Sequence, residues 1–256
     1  MASDNMEERV TAAVLVIGDE ILSGRTLDTN TRDIARYLGV YGIDMAEART
    51  VPDVQEEIVA ALNALRARYD YVITTGGIGP THDDITADAV AAAFGVPLLE
   101  NQQILDEMEA RRPGQITPAR RRMARVPQGG GLVKNPVQGP PGFTIGNVFV
   151  LAGVPAVMRG MLEDVGPRLR TGVVTLSRTV RVEGSGEGVI AAPLEFVAKA
   201  HPKMSLGSYP FSGPDGPGSN LVLRGRDAEE LAATVEELIA ALREIGVQNV
   251  GEVDAG

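Results

Sequence analysis

Two short segments combine glycines with carboxylates. They are Gly18-Asp19-Glu20-Ile21-Leu22-Ser23-Gly24 and Thr74-Thr75-Gly76-Gly77-Ile78-Gly79-Pro80-Thr81-His82-Asp83-Asp84. A glycine-rich turn that leads into a helix presents backbone N–H groups to phosphate or another anion, and the helix dipole assists. Glycine is needed there because a Cβ would block close approach or positive φ. Gly76, Gly77 and Gly79 are therefore candidate phosphate-binding positions, with the hydroxyls of Thr75 and Thr81 beside them. Gly18, Asp19 and Glu20 are their counterparts in the first segment, and His82 is a candidate contact to ligand or metal. The plain alternative is a strand-to-helix turn with no ligand.

The acids are the other half of the signal. Asp19, Glu20, Asp53, Asp83 and Asp84 all fall near predicted strand ends. An acidic site that meets an anionic phosphate needs a divalent cation between them, and Mg²⁺ takes a few carboxylates plus water and phosphate oxygens. Mg²⁺, Mn²⁺ or Co²⁺ is the expected cofactor, with Asp19, Asp53, Asp83 and Asp84 as candidate ligands. Helix capping is the competing role. Asp53 with Glu56 three residues on has a capping-box pattern, and Asp83 or Asp84 precedes a predicted helix. His201, before Pro202, reads as structural. Six arginines between Arg111 and Arg125 are candidates for a distal phosphate, a partner subunit or a solvated helix face. Several motifs are excluded. Arg25 stands where a P-loop needs Lys, His82 stands where G-x-G-x-x-G needs its last glycine, and neither a G-x-S-x-G elbow nor an H-E-x-x-H helix occurs.

These segments need elements to hold them. Ala12 to Ile17 is a continuous apolar run that suits a strand buried on both faces. A helix from Asn30, a strand over Ile43 to Val51, a helix opened by Asp53, a strand over Tyr69 to Thr74 and an alanine-rich helix over Thr86 to Phe94 follow. That alternation predicts an α/β sheet with crossovers, in which ligands bind at the carboxyl ends of the strands. Helices are predicted over Asn101 to Arg112 and Pro118 to Arg125, then a long loop over Gln128 to Gly142. A hairpin turns at Gly146-Asn147, and a helix runs from Gly153-Val154-Pro155 to about Val165, with Met158 and Met161 as core fillers. Beyond Gly172 the pattern strand, helix, strand, strand, helix predicts a small two-layer α+β domain, with Ser212 to Gly218 as a mobile loop. The expected organisation is a disordered tail over 1–10, an α/β domain over 11–170 and the small domain over 171–256.

The 256 residues carry 24 Lys plus Arg against 34 Asp plus Glu, a net charge of −10. That balance argues against a nucleic-acid binder, which needs a basic face. Aromatics are 4% with no tryptophan, so stacking platforms for single strands are not expected either. The absence of cysteine excludes disulfides, thiolate metal sites and a cysteine nucleophile. No apolar run reaches the roughly 18 residues of a membrane span, and Met1 to Arg9 is polar, unlike a secretory signal. A cytoplasmic enzyme or binding protein is expected.

The second segment, extended to Thr86, resembles the signature of the molybdopterin-binding (molybdenum cofactor biosynthesis) family. Gly18 to Gly24 with Asn30 downstream resembles one branch of it: the amino-terminal domain of competence/damage-inducible protein A and the molybdopterin-binding-like domain of FAD synthases. Asn135-Pro136-Val137, Pro141-Gly142, Gly153-Val154-Pro155, His201-Pro202 and Leu206 to Pro210 are similar to the same branch. Ala152, where the family has proline, and Pro140, where small residues are common, depart from it. The resemblance covers about Thr11 to Arg226. It implies a three-layer αβα fold with a mostly parallel sheet, and a homo-oligomer. It also implies a small nucleotide or pterin ligand. For this branch it implies divalent-metal-dependent hydrolysis of a dinucleotide pyrophosphate such as ADP-ribose or FAD, releasing AMP. The family also contains adenylyl transfer to molybdopterin, and a protein that only binds molybdopterin or a nucleotide is the further alternative. Asp53 and Asp84 match aspartates implicated in the adenylyl-transferring relatives. Neither the nicotinamide-nucleotide deamidase domain nor the FAD synthase transferase domain is found up to Gly256, so those activities are not expected.

Overall fold

The computed structural model describes residues 9–137, 139–214 and 216–253. They form two compact units that part between Val173 and Val174. Val10 is already the first residue of a strand and is buried, so the expected tail is too long by at least that residue. The remainder of it, 1–8, lies outside the described residues.

In the first unit the chain runs β1 (Val10–Ile17), α1 (Asp19–Leu22), α2 (Asn30–Val40), β2 (Ile43–Val51), α3 (Gln55–Arg68), β3 (Tyr71–Thr75) and α4 (Thr86–Phe94). It continues through β4 (Leu98–Glu100), α5 (Gln102–Arg111), α6 (Pro118–Arg122), β5 (Arg125–Pro127), β6 (Gly131–Val133), β7 (Gly142–Ile145), β8 (Val148–Leu151) and α7 (Pro155–Val165). Six strands form one sheet in the order β2-β1-β3-β8-β7-β6. The pairings β2-β1, β1-β3 and β3-β8 are parallel, and β8-β7 and β7-β6 are antiparallel. β4 and β5 pair separately.

The unbroken apolar character of β1 has the expected cause. Successive side chains point to opposite faces, and both faces are covered. Ala13, Leu15 and Ile17 join one core with Ile58, Leu62 and Leu65 of α3 and Ala89 and Val90 of α4. Ala12, Val14 and Val16 join another with Ile34 and Leu38 of α2 and Met158, Met161 and Leu162 of α7. The result is helices on both sides of a mostly parallel sheet. β6 is a correction: it lies within the stretch read as loop, where glycines mask a three-residue edge strand paired to β7.

The second unit contains β9 (Leu176–Val182), α8 (Glu187–Ala200), β10 (Ser205–Gly213), β11 (Gly216–Gly225), α9 (Ala228–Glu244) and β12 (Val250–Val253). Its antiparallel sheet has the order β10-β11-β9-β12, and Ile190, Val197, Leu231, Val235 and Leu238 pack with strand residues in its core. Ser212 to Gly218 is mostly paired strand: the ladder runs to Gly213 opposite Gly216. Glycine and proline mark a loop there because the hairpin end up to Pro217 has no buried residue among those described, and burial begins only at Gly218. His201 is structural, its Nε2 lying 2.8 Å from Glu237 of α9.

Candidate active site

β1 and β3 are parallel neighbours, so the loops after Ile17 and Thr75 leave the same edge of the sheet. Gly76 has φ +107, and a Cβ on it would lie 2.1 Å from the Ile17 carbonyl oxygen. Gly77 has φ +65, and a Cβ there would lie 2.2 Å from Thr86 Oγ1. These two glycines let the second loop turn tightly against the first. Thr86 locks the turn: its amide donates to the Gly77 carbonyl at 3.0 Å and its hydroxyl to the Gly76 carbonyl at 2.9 Å.

Asp84 is not the cap of α4. The N-cap position is Ile85, without a side-chain bond. The Asp84 carboxylate turns back into its own loop, accepting from Gly79 N at 2.7 Å, Thr81 N at 2.7 Å and Thr81 Oγ1 at 2.5 Å. The loop is thus an anion-binding nest, and the anion in it is the protein's own carboxylate. This corrects the expected phosphate donors. The amides of Gly79 and Thr81 serve Asp84, and Gly76 N donates to the Leu151 carbonyl at 3.3 Å. The buried Thr75 hydroxyl donates to the Ala152 carbonyl at 3.0 Å.

Asp53 is not a cap either. α3 begins after Val54 with no side-chain bond, and the Asp53 carboxylate accepts from Asp19 N at 3.0 Å. It joins the ends of β1 and β2, while Gly18 N donates to the Val51 carbonyl. Burial pushes the Asp53 carboxyl above the usual carboxylate range, the bond from the Asp19 amide opposes this, and the negative charges of Asp19, Glu20 and Asp83 add to the rise. Asp53 therefore sits in a negative field.

A cavity of about 900 Å³ opens beside these loops. Glu20, Gly76, Gly77, Gly79 and Asp84 line it from the two loops, and Ile104, Met108, Arg111, Arg112, Arg120 and Met123 from the α5–α6 segment. Asn135 to Val137, Gly139 to Pro141 and Ala152 to Pro155 complete the wall. Gly18, Asp19, Asp53, Thr75, Thr81, His82 and Asp83 are not part of this lining. The His82 side chain is 97% exposed, 3.9 Å from Asp83, and takes no place in the cavity. Among the described residues no three His, Asp or Glu side chains come together as a metal-holding group. The shell of Asp19, Asp53, Asp83 and Asp84 is therefore not preassembled, because Asp84 faces its own loop.

The sequence matches the probable molybdopterin binding domain over residues 13–171. The chain belongs to the molybdopterin-binding domain family. Residues 175–250 match the middle domain of FAD synthase. A CinA-like protein of Citrifermentans bemidjiense is 42% identical over 193 residues, 72% of this chain and 47% of that protein. A CinA-like protein of Gemmatimonas aurantiaca is 36% identical, covering 94% of this chain and 60% of its own length. The chain thus spans about half to three-fifths of these relatives. The crystal structure of a CinA protein of unknown function from Thermoplasma acidophilum superposes with a TM-score of 0.60 at 32% identity, over 62% of this chain and 98% of that one.

In this molybdopterin-binding domain the residue that knits the site together is Asn30, a helix start and part of the family resemblance in sequence but not among the expected site residues. Its buried amide donates to Thr75 Oγ1 at 2.8 Å and to the Gly153 carbonyl at 2.8 Å. Asn135 similarly shapes its own loop, donating to the Pro140 carbonyl at 3.0 Å and accepting from Val137 N at 3.1 Å. Ala152, at the family's proline position, donates its amide only to the Met161 sulfur, at 3.4 Å. A proline there would forgo only a weak contact, so the substitution leaves the turn intact.

Proposed function

We propose that this domain hydrolyses a nucleotide pyrophosphate of the ADP-ribose or FAD type, with a divalent cation, and releases AMP. The observation that carries this reading is the negative field around Asp53, beside a cavity large enough for such a ligand. A pyrophosphate brought against these carboxylates for hydrolysis needs a cation between them. The donor chemistry suits Mg²⁺ or Mn²⁺, which are held by one or two carboxylates and completed by substrate phosphate and water. Asp53 would hold the cation, with Asp19 as the adjacent acid. The chemistry a divalent cation held there would supply is charge neutralisation at the pyrophosphate and a lowered pKa for a water. The chain's own part is positioning, which carries most of the catalysis in phosphoryl reactions. Asp84 keeps the glycine loop in shape, and Asn30 fixes the ends of β3 and β8 against it. Similarity to the CinA-like proteins and to the FAD synthase middle domain supports the reading.

The test is release of AMP from ADP-ribose, FAD, NAD and ATP with Mg²⁺, Mn²⁺ or Co²⁺, against an EDTA control. Metal-dependent AMP release that disappears in Asp53→Asn is expected. A second reading is favoured by the self-satisfied glycine loop: a protein that binds molybdopterin or a nucleotide without turnover. Tight binding with no AMP release under any metal would establish it instead.

A further inference from the structure

Three loop donors that could meet a phosphate, the amides of Gly79 and Thr81 and the Thr81 hydroxyl, are already engaged by Asp84. The positive groups of the cavity lie elsewhere, on the α5–α6 segment. The six arginines there fall into distinct classes. Arg121 forms a two-pronged pair with Glu100 at 2.7 and 2.9 Å, and Arg125 one with Asp88 at 2.9 and 2.7 Å. Both are neutralised by carboxylates, and neither lines the large cavity. Arg122 lines only a smaller neighbouring cleft.

Arg111, Arg112 and Arg120 do line the large cavity, and among the described residues none of them has a carboxylate partner. Arg111 donates Nη1 to the Gly139 carbonyl at 2.9 Å, and Arg120 donates Nη1 to the Gln115 carbonyl at 3.1 Å. These bonds orient two guanidinium groups without neutralising them. The Arg112 backbone closes α5, its amide donating to the Met108 carbonyl at 3.0 Å, and its guanidinium has no hydrogen bond or ion pair among the described residues. Glu107 is the one acid that α5 contributes to the lining, so the arm keeps an excess of positive charge. Ile104, Met108 and Met123 supply apolar surface beside it. A guanidinium fork matches a phosphate in both charge and geometry, and it needs no metal to do so.

We infer that Arg111, Arg112 and Arg120 form the phosphate-binding arm of the cavity, gripping the phosphates of a nucleotide ligand directly and without a cation. The inference rests on the reading of the cavity as a nucleotide site, but not on hydrolysis. It divides the labour: the arm binds phosphate, while the acids around Asp53 serve turnover.

The experiment is equilibrium dialysis of the whole chain with labelled ADP-ribose and, separately, adenosine, in excess EDTA. ADP-ribose is expected to bind at least about tenfold tighter, the equivalent of one charge-assisted hydrogen bond. Added salt should weaken ADP-ribose and not adenosine. Arg112→Ala combined with Arg120→Ala, with Arg111 left in place, should lower the ratio several-fold, and Arg112→Lys should retain part of it. Arg121→Ala removes one positive charge outside the cavity and should leave the ratio as it is. A ratio near one in the unaltered chain overturns the inference. So does a ratio that survives the double substitution, or one that Arg121→Ala lowers equally. Arginine-dependent binding with no AMP release in Mn²⁺ would sink the hydrolase reading and leave the arm standing; AMP release from a chain whose binding ignores the arginines would do the reverse.

Discussion

Replacing Asp84 by Asn tests whether the loop is built around its own carboxylate. The wild-type group accepts from Gly79 N, Thr81 N and Thr81 Oγ1 at 2.7, 2.7 and 2.5 Å. An Asn oxygen can replace one of the two carboxylate oxygens, facing Gly79. Its NH₂ then confronts the Thr81 amide, donor against donor, and the charge is gone from all three bonds. Charge-assisted bonds are worth about 1.5–3 kcal/mol each where water is excluded. Thr81 is exposed, which discounts two of the three, so a total loss of about 1–3 kcal/mol is expected. For a unit of this size that corresponds to about 3–10 °C in Tm. The assay can be local. Of the 5 tyrosines, Tyr37, Tyr41, Tyr69 and Tyr71 lie in the first unit and only Tyr209 in the second, so tyrosine fluorescence reports chiefly the relevant transition. If the proposed hydrolysis occurs, AMP release should fall with it, and kcat should suffer more than KM, since Asp84 positions the loop rather than gripping the ligand. A Tm shift below about 1 °C, less than about 0.5 kcal/mol, would refute the account of the loop.

Other perturbations separate site from scaffold. Gly76→Ala places a Cβ 2.1 Å from the Ile17 carbonyl at φ +107, and should cost about 3 kcal/mol or more in urea unfolding. Met161→Ala removes a side chain 1% exposed and should cost about 2–5 kcal/mol at unchanged m-value. Asp53→Asn has the opposite sign. A carboxyl whose folded-state pKa is raised binds its proton more tightly when folded, so wild-type stability falls as pH rises through that raised value. The variant should therefore be at least as stable as wild type at neutral pH, with the gap closing as pH falls into the carboxylate range.

The apolar run of β1, the glycine loop and the α/β alternation were legible because each follows from local chemistry: burial on both faces, positive φ and periodicity. What escaped detection was direction. Asp53 and Asp84 both precede helices and look like caps, yet each carboxylate turns to a different set of amides. A capping pattern states that an acid stands near free N–H groups, not which ones. The arginine cluster posed the same problem in a stronger form. Six like residues are indistinguishable in sequence, and only the fold separates those paired with Glu100 and Asp88 from those facing the cavity. β6 and the Gly213–Gly216 ladder were hidden because edge and hairpin strands tolerate glycine and proline, which otherwise signal loops.

Asn30 has a consequence for how the molecule comes into being. Its amide reaches Thr75, 45 positions along the chain, and Gly153, 123 positions along. Contacts of such separation close only late, after long loops have been drawn together. A nascent chain that has not yet delivered Gly153 lacks the cross-tie, however well its first three strands have paired. A chain truncated before β8 loses this cross-tie together with α7 and the Ala152 to Pro155 wall of the cavity, so the cavity belongs only to the completed first unit.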